Sequence, residues 1–76
     1  MTLRDKTILL YQAQGLENGG RGVSCVREIV NYLERGDLRS AKTVANTDSD
    51  KIRNYPFLSL MIQAIFETEK IPNKEN

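Results

Sequence analysis

Residues 55–66 read Tyr-Pro-Phe-Leu-Ser-Leu-Met-Ile-Gln-Ala-Ile-Phe, and ten of these twelve positions are apolar or aromatic once Pro56 is counted. Only Ser59 and Gln63 interrupt the run. Proline suits the first turn of a helix, because its missing N–H would be unpaired there and its φ is already helical. The stretch therefore predicts a helix over 56–69. One stripe of that helix carries Phe57, Leu60, Met61, Ala64 and Ile65, and a second carries Leu58, Ile62 and Phe66. A helix apolar nearly all round must be covered on more than one side. It is therefore either the centre of a minimal bundle or half of an interface.

The rest of the chain offers little cover. Seventy-six residues make one domain, and a domain of this size buries only about 60% of the surface its unfolded chain exposes. Such a core supplies roughly 3–5 kcal/mol unless something staples it. The chain has one cysteine, Cys25, and no histidine, so neither an internal disulfide nor an ordinary structural zinc site can form. Association with another protein or with a second copy is the remaining source of stability.

Working towards the amino terminus, residues 47–50 (Thr-Asp-Ser-Asp) are a polar turn cluster. Ile52 and Tyr55 follow as a short helical turn or packed loop. Before the cluster, Asp37 stands as a cap for a helix ending near Asn46, with Leu38, Ala41, Val44 and Ala45 as its apolar members. Val23, Val26, Ile29, Val30 and Leu33 recur at helical spacing and predict a helix over 24–35, with Ser24 as cap and Gly36 as its left-handed terminator. These two helices make an αα-hairpin. Tyr32, Gly36, Asp37, Leu38 and Ala41 stand in the order used around the inter-helix turn of a tetratricopeptide unit, so residues 29–45 resemble one such hairpin. Ile29 stands where that family uses a small residue, and no second copy follows. The resemblance implies the hairpin alone.

Residues 15–22 hold four of the five glycines and read as a mobile loop. Before them, Thr2 and Asp5 form a capping box, and Leu3, Thr7, Leu10 and Gln14 share a stripe widened by Ile8, Leu9 and Tyr11. This predicts a helix over 3–14. The competing reading is a strand over residues 7–12, paired with 23–26 through an Asn18-Gly19 turn. The expected fold is thus all-α: a small four-helix domain spanning 1–70 with a central αα-hairpin, and a disordered tail over 71–76.

The chemistry-bearing inventory is thin. Without histidine the commonest general base is missing, and Cys25 has no such base to activate it. No catalytic residue, metal ligand or cofactor site is expected, and the chain reads as a non-enzymatic protein. Asp48 and Asp50 invite a weak Mg²⁺ site, but turn formation accounts for them. Cys25 reads as a buried core residue, with a redox-sensitive thiol at a helix start as the alternative. Residues 19–24 (Gly-Gly-Arg-Gly-Val-Ser) lead into a helix, where an anion could sit on glycine N–H groups beside Arg21.

Eleven basic residues against ten acidic ones do not advertise nucleic acid. Arg35, Arg39 and Lys42 nevertheless recur along one course, with Arg21 on the glycine loop, and supply an alternative function in nucleic-acid binding. No run approaches the ~20 apolar residues that span a bilayer. A free thiol fits a reducing compartment, so the expected location is cytoplasmic. The leading expectation is a small regulatory or protein–protein interaction module, a homodimer or a partner of another protein, anchored by Phe57, Leu60, Met61 and Ile65.

Overall fold

The computed structural model describes residues 1–69; the expected tail over 71–76 lies outside them. Five α-helices succeed one another: α1 (Leu3–Gly15), α2 (Ser24–Glu34), α3 (Leu38–Thr47), α4 (Ser49–Ile52) and α5 (Pro56–Thr68), with a single 3₁₀ turn at Asn18–Gly20 between the first two. Among the described residues there is no strand. Residues 7–12 lie inside α1, which disposes of the hairpin alternative. The all-α reading holds, with four helices of substantial length and α4 a single turn.

The helix ends follow their local chemistry. Thr2 Oγ1 accepts from the N–H of Asp5 at 3.1 Å, and the Asp5 carboxylate accepts from the N–H of Thr2 at 3.4 Å, completing the capping box. Gly36 ends α2 at φ +76°. Its N–H donates to Leu33 O at 3.0 Å and the N–H of Asp37 donates to Tyr32 O at 2.9 Å, the paired bonds of a Schellman turn. Asp37 Oδ1 then accepts from the N–H of Ser40 at 3.0 Å and starts α3. One polar residue both leaves one helix and opens the next, which is why the turn needs only three residues.

The cap of α2 lies one residue earlier than the spacing predicts. Val23, in extended conformation, is the cap, and Ser24 is the first helical residue and makes no capping bond. The N–H of Val23 is taken by the side chain of Gln14 at 2.8 Å, so a tertiary contact fixes the entry to α2.

The central helix is α2, not α5. It packs chiefly on α3 and α1, whereas α5 packs chiefly on α1. Leu10, Val26, Ile29, Val30, Leu33, Ala41, Ile52, Leu58, Ile62 and Ile65 form one continuous core. Ile8, Leu9 and Tyr11, expected to widen the inner stripe of α1, are all exposed. Leu3, Thr7, Leu10 and Gln14 suffice to fill the space against α2. Lys6 reaches across to α5, with Nζ 2.8 Å from Thr68 Oγ1 and 2.9 Å from Glu69 Oε2. Its neighbour one turn on, Leu9, lies beside Met61, Ala64 and Ile65. Advancing along α1 thus moves back along α5, and the two helices run antiparallel.

Candidate functional site

The side chains of α5 divide by phase. Leu58, Ile62 and Ile65 fall within one arc and are buried. Phe57, Leu60, Gln63, Ala64 and Glu67 fall on the other side and are exposed. Phe57 and Leu60 each leave 63% of their surface to solvent. Met61 sits at the boundary, half-buried against the core. Of the four expected anchors, Phe57 and Leu60 are therefore open, Met61 is partly open, and Ile65, at 3% exposure, is core. Ile65 is corrected to a packing residue: it belongs to the core and forms the floor of the groove between Leu9 and Ala64.

The free face continues onto α1. Leu9 (42% exposed) borders α5, and Leu16 (83% exposed) is the C-cap residue just past the end of α1. Between the helices runs a shallow groove of about 260 Å³ lined by Met1, Lys6, Leu9, Met61, Ala64, Ile65 and Thr68. Ala64 causes the hollow: it is the smallest side chain on the outer stripe, flanked by longer ones. The polar cluster of Lys6, Thr68 and Glu69 closes one end. No formal charge occurs on α5 from Pro56 to Phe66. Leu9, Leu16 and Ala64 were not among the expected contact residues. The signal for Leu9 was the period itself, because Leu9 stands more than a quarter turn off the Leu3–Thr7–Leu10–Gln14 stripe.

The basic residues gather less well. Arg39 and Lys42 are exposed on α3. Arg35 caps α2 and places its guanidinium 5.5 Å from the centre of the Tyr32 ring. Arg21 lies at the opposite end of α2, about 16 Å away along the 1.5 Å rise of that helix. The set expected for nucleic acid is thus split, with Arg35 and Arg39 near the α2–α3 turn, Lys42 further along α3 beside Asn46 and Ser59, and Arg21 remote. Asp37 sits beside the first two, its pKa lowered first by the Ser40 backbone N–H and then by the Ser40 side chain, with Arg35 and Arg39 adding to the effect.

The glycine loop does not form an anion cradle. The N–H groups of Gly20, Arg21 and Gly22 donate to Glu17, Asn18 and Glu17 carbonyls at 3.1–3.3 Å, and that of Val23 to Gln14. Arg27 Nη1 donates to Arg21 O at 2.8 Å and Asn18 Nδ2 to Gly22 O at 3.3 Å, so the loop expected to be mobile is bound from both flanks.

Cys25 is buried, and desolvation, aided by the charge of Asp48, raises its thiol pKa. The redox-sensitive reading fails on both counts, since reactive thiols are exposed and acidified. Asp50 is bound to Arg53, and among the described residues no group of three or more metal-ligating side chains assembles. No described helix is long and apolar enough to cross a membrane.

No protein-family model matches the chain, and neither a curated protein nor a solved structure matches it at a significant level. The face formed by Leu9 of α1 with Phe57, Leu60, Met61 and Ala64 of α5 is accordingly the site on which a functional reading rests.

Proposed function

We propose that this protein is a small non-enzymatic interaction module that docks through the outer face of α5 and the adjoining edge of α1, as a self-associating protein or as a subunit of a larger assembly. The observation that carries the reading is the paired exposure of Phe57 and Leu60 on a helix whose opposite side already fills the core. Large apolar side chains clustered on one surface cost solubility unless a partner covers them, and burying each contributes roughly 1.5–3 kcal/mol to association. Arg39, Lys42 and Arg35 give the competing nucleic-acid reading a narrower base, since they spread from the hairpin turn along α3 without Arg21. The module acts in the cytoplasm, where an unpaired thiol stays reduced.

The test is site-specific photo-crosslinking in living cells, with benzoyl-phenylalanine in place of Leu60 and, separately, in place of Lys42. Discrete adducts from position 60 alone support docking through α5. Adducts from position 42 to nucleic acid, with none from position 60, transfer the function to the basic face. Silence at position 60 removes the docking reading.

A further inference from the structure

We infer that the occupant of this face is a second copy of the chain, packed α5 against α5 in antiparallel fashion about a twofold axis near Leu60 and Met61, with Phe57 of each copy seated over Ala64 of the other. The inference rests on the docking reading above and names its partner.

Three features of the face converge on a self-pair. The first is shape. The face carries a projection, Phe57, and a hollow, the groove over Ala64 bordered by Leu9 and Met61. They lie on one helix two turns apart, about 10 Å. A twofold axis midway between them brings each projection onto the other copy's hollow at once, as an isologous interface requires. A parallel arrangement sets Phe57 against Phe57 and leaves both hollows empty.

The second is area. Taking about 150–250 Å² for a fully exposed large side chain, the open portions of Leu9, Phe57 and Leu60 amount to on the order of 300 Å² of apolar surface. A standard interface takes about 800 Å² from each partner, a little over half of it non-polar. With the half-open Met61 and the exposed Ala64 beside them, these residues supply the larger part of the apolar share of one such partner.

The third is charge. From Pro56 to Phe66 α5 carries no formal charge, and the first to appear is the exposed Glu67. An antiparallel pair sets Glu67 towards the amino-terminal end of the other α5, where the helix dipole is positive. A parallel pair stacks Glu67 on Glu67 in a largely desolvated seam.

The experiment uses the purified full chain. Sedimentation equilibrium of the wild type is expected to show twice the 8.6 kDa chain mass with a dissociation constant in the micromolar range. Leu60→Glu and Ala64→Glu are expected to weaken dimerisation at least tenfold while keeping the wild-type helical circular dichroism, since both positions are exposed. Orientation is read from disulfides in a Cys25→Ala background. A mixture of Phe57→Cys and Ala64→Cys chains is expected to cross-link several-fold more than either alone. Efficient cross-linking of Phe57→Cys with itself overturns the antiparallel pair. A wild type that remains monomeric up to about 1 mM, a concentration at which even a contact of about 4 kcal/mol is half-formed, overturns self-pairing. In that case position-60 adducts to a different protein in the cellular experiment keep the docking reading, and their absence removes both.

Discussion

The side-chain oxygen of Gln14, on the last turn of α1, accepts a hydrogen bond from the backbone N–H of Val23 at 2.8 Å, and both residues are buried. This one bond joins two helices across the glycine loop and gives the entry of α2 the partner that a side-chain cap supplies elsewhere. A Cβ at Gly22 would stand 2.5 Å from that same oxygen and 2.8 Å from Arg27 Nη1. The clamp and the glycine beside it are therefore one unit.

Gln14→Leu keeps helix propensity and side-chain length but leaves the Val23 N–H buried without an acceptor. Such a loss costs about 1–3 kcal/mol. Urea denaturation is expected to show that decrease with an unchanged slope; a change below about 0.5 kcal/mol would mean that water reaches the Val23 amide.

Three glycines should answer to alanine in different ways. Gly22, at φ +80° and against Gln14, is expected to lose at least about 2 kcal/mol, combining a left-handed backbone with a clash. Gly19, also at positive φ but with open space around its Cα, should lose only the backbone part, about 1–2 kcal/mol. Gly15, helical and unobstructed, should gain about 0.4–1 kcal/mol from a less flexible unfolded chain. Thermal melts of the three variants check the order, and equal losses at Gly19 and Gly22 would contradict it.

Leu58 and Leu60 stand two residues apart on α5 and face opposite ways, one fully buried and the other 63% exposed. Leu58→Ala should cost about 2–5 kcal/mol in folding stability. Leu60→Ala should change the stability of the isolated chain by no more than about 0.5 kcal/mol. Chemical denaturation at low micromolar protein concentration, below the expected dimer range, separates the two effects.

Asp37 gives the fold an acid limb. Its pKa is lowered in the folded state, chiefly by the Ser40 N–H. Its contribution is therefore present above the unfolded aspartate value near 4 and is lost as pH falls through the lower folded value. Asp37→Ser keeps a capping oxygen without a titratable charge. The melting-temperature advantage of the wild type over Asp37→Ser should be constant near neutrality and shrink below about pH 4; an advantage that persists at pH 2 would show that the charge plays no part.

Much of this fold was legible in the chain. The Thr2–Asp5 box, the Gly36 terminator, the Asp37 cap and Pro56 at the start of α5 each depend on neighbours within four residues, and each stands where its chemistry places it. Local signals cannot reach further. Periodicity gives the phase of a helix only where polar residues mark the outer side, as in α2 and α3. In α5 nearly every position is apolar, so nothing distinguishes Ile65, which faces in, from Phe57, which faces out. Ile8 and Leu9 pose the same problem in α1. The Gln14–Val23 bond spans a loop and joins groups that show no sequence pattern, which is why the start of α2 is displaced by one residue from the expected Ser24 cap. The contact face was half visible for the same reason: Phe57, Leu60 and Ala64 share a stripe of excess apolarity, whereas the meeting of Leu9 with Ala64 across the groove appears only once α1 and α5 lie side by side.

The ammonium of Lys6 meets Thr68 and Glu69 across more than sixty positions of chain, and Leu58, Ile62 and Ile65 complete a core that begins with Leu10. During synthesis the first helix thus leaves the ribosome just ahead of α2, its main packing partner, and well before α5, which covers its other flank. The α1–α2–α3 unit can assemble early on contacts between successive helices, but the bonds of Lys6 wait for the last turn of α5. The groove between Leu9 and Met61 is for this reason the last part of the surface to form, and a nascent chain arrested between α4 and α5 leaves the α5-facing flank of α1 uncovered.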